Sequence, residues 1–228
     1  VPLVADAVRL AGWTGSRPVT PEGMLTADDA AAAAAELELD PVRLRLVWIV
    51  AVNTGLLRIH RGRASRGPLP QRLTVEATLE FWDGVVMDVL DRADEGLTGS
   101  AVIDDHLAEM LATIYSARSG VAVANLARGI LQSHEVACAP GRTGMRRLAA
   151  SLPGELLQAL SLLTYCGLVE QTAEGRTALT PLGVWAIRRD LLREGHDAPT
   201  SEEVEEFADL TAAELVDALG GGTVTQSA

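Results

Sequence analysis

The chain has no lysine: all 19 of its basic residues are arginine. With the alanine run at 30–35 this is a coding bias, and no mechanism follows from it. Aromatic residues are scarce, at 4%, so a core has to be built from Leu, Val, Ile and Ala. Two cysteines, Cys138 and Cys166, exclude a disulfide framework. No run approaches the roughly 18 consecutive apolar residues of a membrane span, and "LRLVWIVAV" at 44–52 is far too short. The opening "VPLVADAVRLAGW" lacks the charged start and long apolar stretch of a secretory signal. A cytoplasmic protein with no membrane contact is therefore expected. A first residue other than Met and the ending "GGGTVTQSA" suit a piece of a longer chain.

Chemistry-bearing patterns are also missing. There is no Gly-rich phosphate loop, no Ser nucleophile elbow and no His-Glu-x-x-His pair. His134 and Cys138 stand four apart around Glu135, but zinc takes four ligands, and His106 and His196 have no spacing that joins them. Neither an enzyme, nor a cofactor, nor a metal centre is expected.

A hydrophobic content of 48% excludes disorder for most of the chain. Helical spacing of apolar residues marks 3–11, with Gly12 and Gly15 as stops, and "RPVTPEGML" reads as a short strand with a turn. Thr26 stands where it can cap "ADDAAAAAAELEL", and Asp40-Pro41 opens "VRLRLVWIVAVNT", which runs to Gly55. "LLRIHRGRASRGPL" then reads as a hairpin around Gly62. A helix is expected over 73–91 and two more over 101–116 and 121–132. "GMRRLAASL" forms a short helix, Pro153 opens another over 153–166, and a second hairpin turns at Gly175 before "VWAIRRDLLREG". "TSEEVEEFADL" and "TAAELVDALG" predict short acidic helices, with Thr211 and Glu214 in a capping-box pattern.

Comparing "AVNTGLLRIHRGRA" with "LLTYCGLVEQTAEGRTA" shows helix, Gly, two apolar residues, hairpin and Arg twice, the mark of an internal repeat. At "GLVEQTAEGRTALTPLGVWAI", residues 167–187, the chain resembles the wing of bacterial winged-helix regulators of the MarR, PadR and HxlR groups. They share a helix ending in Gly-Leu-Val, a hairpin, and Leu-Thr-x-x-Gly opening a helix. The tandem arrangement also resembles actinobacterial proteins from which no function is carried over. The resemblance implies a mainly α fold with small β-hairpin wings, as two winged-helix units in tandem joined by helices. The expected division is 1–72 first unit, 73–132 helical linker, 133–195 second unit, and 196–228 acidic helical tail with a flexible end. It further implies DNA binding through the helix before each wing, with the wing reaching a minor groove.

Charge separates the two units. Helix 153–166 exposes Glu155, Gln158 and Ser161, and the second wing sets Glu170 and Glu174 against Arg176, which repels phosphate. The first unit holds seven arginines between 41 and 75, plus His60, and no carboxylate, within a chain of net charge -12. Arg43, Arg45, Arg58, Arg61, Arg63 and Arg66 are the candidate nucleic-acid contacts, because the guanidinium fork suits phosphate. Strand alternation predicts Arg61 and Arg63 on one face, flanked by Arg58 and Arg66. Helix 42–54 is apolar nearly all round, the pattern of a buried helix, so specific base reading by it is not expected. Two readings stay open: a DNA-associated regulator binding through the first wing, and a protein–protein module without DNA binding. Under the blandest alternative the arginines simply pair with the ten carboxylates of 76–109. Trp13, Trp48, Trp82 and Trp185 are expected as core anchors; a homodimer or a protein partner is also expected, with Trp48 and Trp82 as the interface candidates.

Overall fold

The computed structural model describes residues 1–68, 74–117, 119–138, 141–200 and 202–203. Arg72 and the acidic helices expected after residue 201, including Thr211 and Glu214, lie outside the described residues. The architecture is mainly helical, with one three-stranded and one two-stranded antiparallel sheet.

The first half runs α1 (Pro2–Thr14), β1 (Ser16–Pro18), α2 (Ala27–Leu37), α3 (Pro41–Asn53), β2 (Leu57–His60) and β3 (Arg63–Arg66). Gly12 does not stop α1, which continues until Thr14 turns its hydroxyl back onto the Leu10 carbonyl at 2.8 Å. The capping residues act as their chemistry demands. Thr26 accepts from the Asp29 N–H at 3.3 Å, and Asp40 accepts from the Arg43 N–H at 2.9 Å with Pro41 behind it. Helix α3 lies at the centre, touching α1, α2, α4 and β2, where α4 is Val75–Leu90. Its Leu44, Leu46, Val47, Trp48, Val50 and Ala51 are all buried. The apolar-all-round pattern therefore has the meaning expected for it: α3 is a core helix.

After α4 come a 3-10 turn (Ala93–Glu95), α5 (Ala101–Asp105), α6 (Leu107–Ser116), α7 (Val123–Cys138), α8 (Arg142–Tyr165), β4 (Val169–Gln171), β5 (Thr177–Leu179) and α9 (Pro181–Arg193). The helix expected over 101–116 is broken at His106. The two helices expected around Pro153 are a single helix of 24 residues. Proline at 153 removes only its own N–H from the ladder, and the carbonyl left over belongs to exposed Ala149, which water can reach.

The halves repeat one another in topology. α1, β1, α2, α3, β2, β3 corresponds to α6, Val121, α7, α8, β4, β5. The first sheet has the order β1-β3-β2, and in the second half Val121 forms an antiparallel bridge with Thr177 of β5, in the place of β1. At one constant shift along the sequence Pro41 falls on Pro153, Leu44 on Leu156, Val47 on Ala159, Trp48 on Leu160, Ala51 on Leu163 and Gly55 on Gly167. The four core positions in that series are buried in both halves. In this correspondence α6 stands in the place of α1.

Two glycines per half explain the hairpin roots. Gly55 and Gly167 reverse the chain at φ 76° and 80°, where other residues are strained. Gly67 and Gly183 sit so close that a Cβ would lie 1.9 Å from the Gly55 carbonyl oxygen and 2.0 Å from that of Leu168. The Leu-Thr-x-x-Gly stretch gains a physical account here. Thr180 donates to the Gly167 carbonyl at 2.7 Å and accepts from the Gly183 N–H at 2.9 Å, clamping α9 onto the hairpin root.

By its contacts the chain divides into Val1–Ile187 and Arg188–Ala228. Long-range ties join distant elements within Val1–Ile187. The Trp82 indole donates to the Leu182 carbonyl at 3.2 Å, and the Tyr165 hydroxyl donates to Asp6 at 2.8 Å. In the second unit Thr200 and Glu203 cap each other reciprocally, at 2.5 and 3.2 Å.

Trp48 is 2% exposed and Trp82 4%, and the Trp48 indole donates to the Gly23 carbonyl at 3.0 Å. Both are core anchors of this chain and not interface residues. Trp48→Ala should cost about 3–5 kcal/mol of folding free energy, read as an earlier denaturant midpoint, with no change in oligomeric state for whatever fraction stays folded.

Candidate nucleic-acid interface

The first hairpin owes its form to a two-residue turn. His60 pairs with Arg63, and between them Arg61 and Gly62 take φ 50° and 72°. Positive φ at both central residues is the turn that matches strand twist, and glycine serves the second position. Arg61 is therefore at the tip and off the strand. The expectation that it shares a strand face with Arg63 fails because the turn takes it out of the alternation. Register sets the faces instead. Arg58 opposes Ser65 and His60 opposes Arg63, whereas Arg66 opposes Leu57 on the face that carries buried Ala64. Arg58, His60 and Arg63 thus form one outward face, Arg61 projects from the tip, and Arg66 stands at the end of the other face.

All four hairpin arginines are exposed. Among the described residues none of them meets a carboxylate within 4.0 Å. Arg63 is held, without being neutralised, by the Ser16 hydroxyl at 3.1 Å and the Ser16 carbonyl at 2.5 Å. The acidic stretch 76–109 engages the segment elsewhere: Asp88 accepts from Asn53 at 2.8 Å and Glu95 lies 3.9 Å from Arg45. Self-pairing of the four wing arginines with that stretch does not occur among the described residues.

The two arginines of α3 differ from the hairpin four. Arg43 lies 3.4 Å from Asp40 and its guanidinium sits 4.9 Å over the Tyr165 ring, so it is part of the contact between α3 and α8. Arg45 is exposed, but faces a cleft of about 250 Å³ between α3 and the segment Arg92–Leu97, with Glu95 across it. Arg92 holds that same Glu95 through both carboxylate oxygens, at 3.0 and 2.9 Å. The structure thus places Arg43 against α8 and Arg45 beside Glu95, apart from the four hairpin arginines. Helix α3 is touched by α4 on the side where Asn53 bonds Asp88, and its exposed residues are Pro41, Val42, Arg45 and Asn53.

In the second half the hairpin loop is a residue longer, with Thr172 closing onto Arg176. Arg176 donates to the Gly120 carbonyl at 3.0 Å, and a bond from the Thr172 hydroxyl holds the Glu174 carboxyl below the usual range. Along α8, Gln158 and Ser161 are exposed, whereas Glu155 is half-buried and accepts from Ser100 at 2.5 Å. The second hairpin is anionic at its tip, and Arg176 is its one cation, beside Glu174.

Sequence reasoning passed over a second exposed set of arginines, Arg142, Arg146 and Arg147 on the first turns of α8. Its signal is the same as that of the first set, an absence of carboxylates, here between Glu135 and Glu155. Among the described residues no three His, Cys, Asp or Glu side chains converge as a metal site, although the His106 and His134 rings stack edge-on at 5.9 Å. Among those residues no helix is long and apolar enough to cross a membrane. Cys166 is buried, and burial pushes its thiol up to about 12. No family model, curated protein or solved structure matches the chain.

Burial raises the Asp88 carboxyl above the usual aspartate range, partly offset by the bond from Asn53. A raised folded-state value means that the protonated acid is favoured by folding. Its stabilising contribution is present at low pH and lost as pH rises through the raised value. Asp88→Asn keeps an oxygen for Asn53 to donate to and removes the charge. The variant should gain stability relative to the parent as pH rises from acid to neutral. Paired chemical denaturation curves across that range should show a widening gap, and a constant gap would contradict the assignment.

Proposed function

We propose that the chain is a tandem winged-helix protein that associates with DNA through its first wing, as a transcriptional regulator whose backbone grip is independent of base reading. Support for the fold reading comes from the element order and from the strand order β1-β3-β2, repeated with Val121 in the second half. The observation that carries the function is the hairpin's set of exposed guanidinium groups, Arg58, Arg61, Arg63 and Arg66, without a carboxylate partner among the described residues. In a chain of net charge -12, such groups are drawn to an external polyanion, and the acid elsewhere turns that polyanion towards this edge.

The covering of α3 by α4 gives this function its particular form. With α4 on one side and only Val42, Arg45 and Asn53 exposed beside Pro41, α3 offers few groups for base edges, so contacts go to phosphates, which position a protein without carrying sequence information. The same covering favours a second reading, a winged-helix protein–protein module without DNA binding, in which the arginines meet an acidic protein surface.

Four phosphate contacts would make log K fall against log salt with a slope near about -3.6, at about -0.9 per contact. Replacing Arg58 and Arg61 together by Ala should flatten the wing's share by about 1.8 and weaken all duplex sequences equally. Fluorescence anisotropy with random-sequence duplexes over a salt series measures both. Salt-independent binding, or none, would rule out the DNA reading in favour of the protein module.

A further inference from the structure

The two halves of the repeat differ most between their second and third helices. In the first half α2 ends at Leu37 and α3 opens at Pro41. In the second, α7 runs on to Cys138, and α8 begins at Arg142, well before Pro153, the counterpart of Pro41. The added residues 142–152 make about three extra turns. From Glu135 to Ser151 no described residue is buried; Met145 and Leu148 are half-buried and Val136 is 83% exposed. This is a helical arm whose two strands of helix touch one another, α7 against α8, with the rest of its surface open.

The arm's outer face has a definite composition. At 100° per residue, half-buried Met145 and Leu148 and buried Leu152 fall on one side of α8. The opposite side carries Thr143, Ala150 and Gly154 in a strip, with Arg146 and Arg147 bordering it and Arg142 one turn before Arg146. All three arginines are exposed, and among the described residues none meets a carboxylate. Small residues between guanidinium groups allow a helix to approach an extended polyanion closely. Arg142 to Arg146 is a rise of ~6 Å along the helix, close to the advance of two phosphates of one strand at ~3.4 Å each.

We infer that this arm is a second grip on nucleic-acid backbone, in which Arg142, Arg146 and Arg147 contact phosphates; the inference rests on the DNA reading of the first wing. Each half of the repeat then contributes one cationic element, from different places: the hairpin in the first half, and the extension of α8 in the second. The second half's hairpin suits this purpose poorly, since Glu174 lies at its tip and Arg176 is its one cation. The absence of any carboxylate between Glu135 and Glu155 keeps the arm's charge available.

The test uses the whole chain and a random-sequence DNA duplex, with affinity measured over a salt series. Three proteins are compared: the parent, Arg142→Ala/Arg146→Ala/Arg147→Ala, and Arg58→Ala/Arg61→Ala. Circular dichroism and the melting temperature should be unchanged by substitutions at exposed positions. The arm variant should flatten the salt slope by about 2.7, three contacts at about 0.9 each, and Arg→Lys at the same three positions should restore it. If the parent binds and the arm variant keeps the full slope, the arm inference is overturned while the wing's role stands. If the parent binds no duplex, both fall together. Should the arm variant instead change the sedimentation mass of the protein without changing the slope, the arm is a contact between copies, and the inference is likewise wrong.

Discussion

Enclosure of α3 is the constraint on which the rest of Val1–Ile187 depends. Val47, Val50 and Ala51 have no exposed surface and Trp48 has 2%, because α1, α2, α4 and β2 surround them. Each fully buried large side chain contributes about 1.5–3 kcal/mol, so this helix alone is a large part of the driving force. Helix α4, whose Trp82, Val85, Val86 and Val89 are buried, is one of the elements that touch α3. That cover then decides which surfaces remain for binding. The helix is occupied by the core, and the hairpin that follows it is the part left to solvent.

The same packing scheme is used twice, with glycine wherever two backbones must touch. Gly67 against Gly55, and Gly183 against Leu168, hold the root of each hairpin to the end of its preceding helix. Outside those roots the halves have diverged. The first has a two-residue turn and guanidinium groups without a carboxylate partner among the described residues; the second has a longer, anionic loop and a longer third helix. Tyr165 falls where Asn53 does, and each donates to an acid on another helix, Asp6 on α1 and Asp88 on α4. Burial raises the Tyr165 hydroxyl well above its ordinary value, with the bond to Asp6 adding to the effect. The polar tie between helices has therefore been kept while its chemistry changed.

Much of this was legible in the sequence, for local reasons. Thr26 and Asp40 were readable as caps because an N-cap needs only its own side chain and the next turn. Gly55, Gly62, Gly167 and Gly175 were readable because positive φ is a property of single residues. Burial of α3 followed from its unbroken apolar surface. Other features were hidden because they depend on partners far along the chain. A strand of one bridge, Val121 to Thr177, leaves no alternation to detect, so α6 and Val121 were not legible as counterparts of α1 and β1. Pro153 looked like a helix start because it is one in Pro41, and the preceding turns of α8 have no counterpart to warn of the difference. Arg61 and Arg63 seemed to share a face because the two-residue turn was not counted out of the strand register.

Placement of charge connects these observations. An arginine beside carboxylates in sequence tends to be consumed locally, as Arg92 is by Glu95 and Arg9 by Asp6, at 2.9 and 2.8 Å. Exposed pairs of that kind add little to stability, so losing them costs the fold little. The exposed arginines of the first hairpin and of the α8 extension meet the opposite fate and have no carboxylate partner among the described residues, whereas Arg43 and Arg45 of α3 lie near Asp40 and Glu95. Both such stretches lie on protruding elements, a hairpin and a helical arm, each rooted in the core by apolar residues that carry no charge. Attraction for a polyanion is greatest where cations project and acid stands behind them, because repulsion from the body then limits how the polyanion can lie. The burial of α3 and the exposure of the arginines on the hairpin and the arm divide the chain into an apolar core and projecting charge.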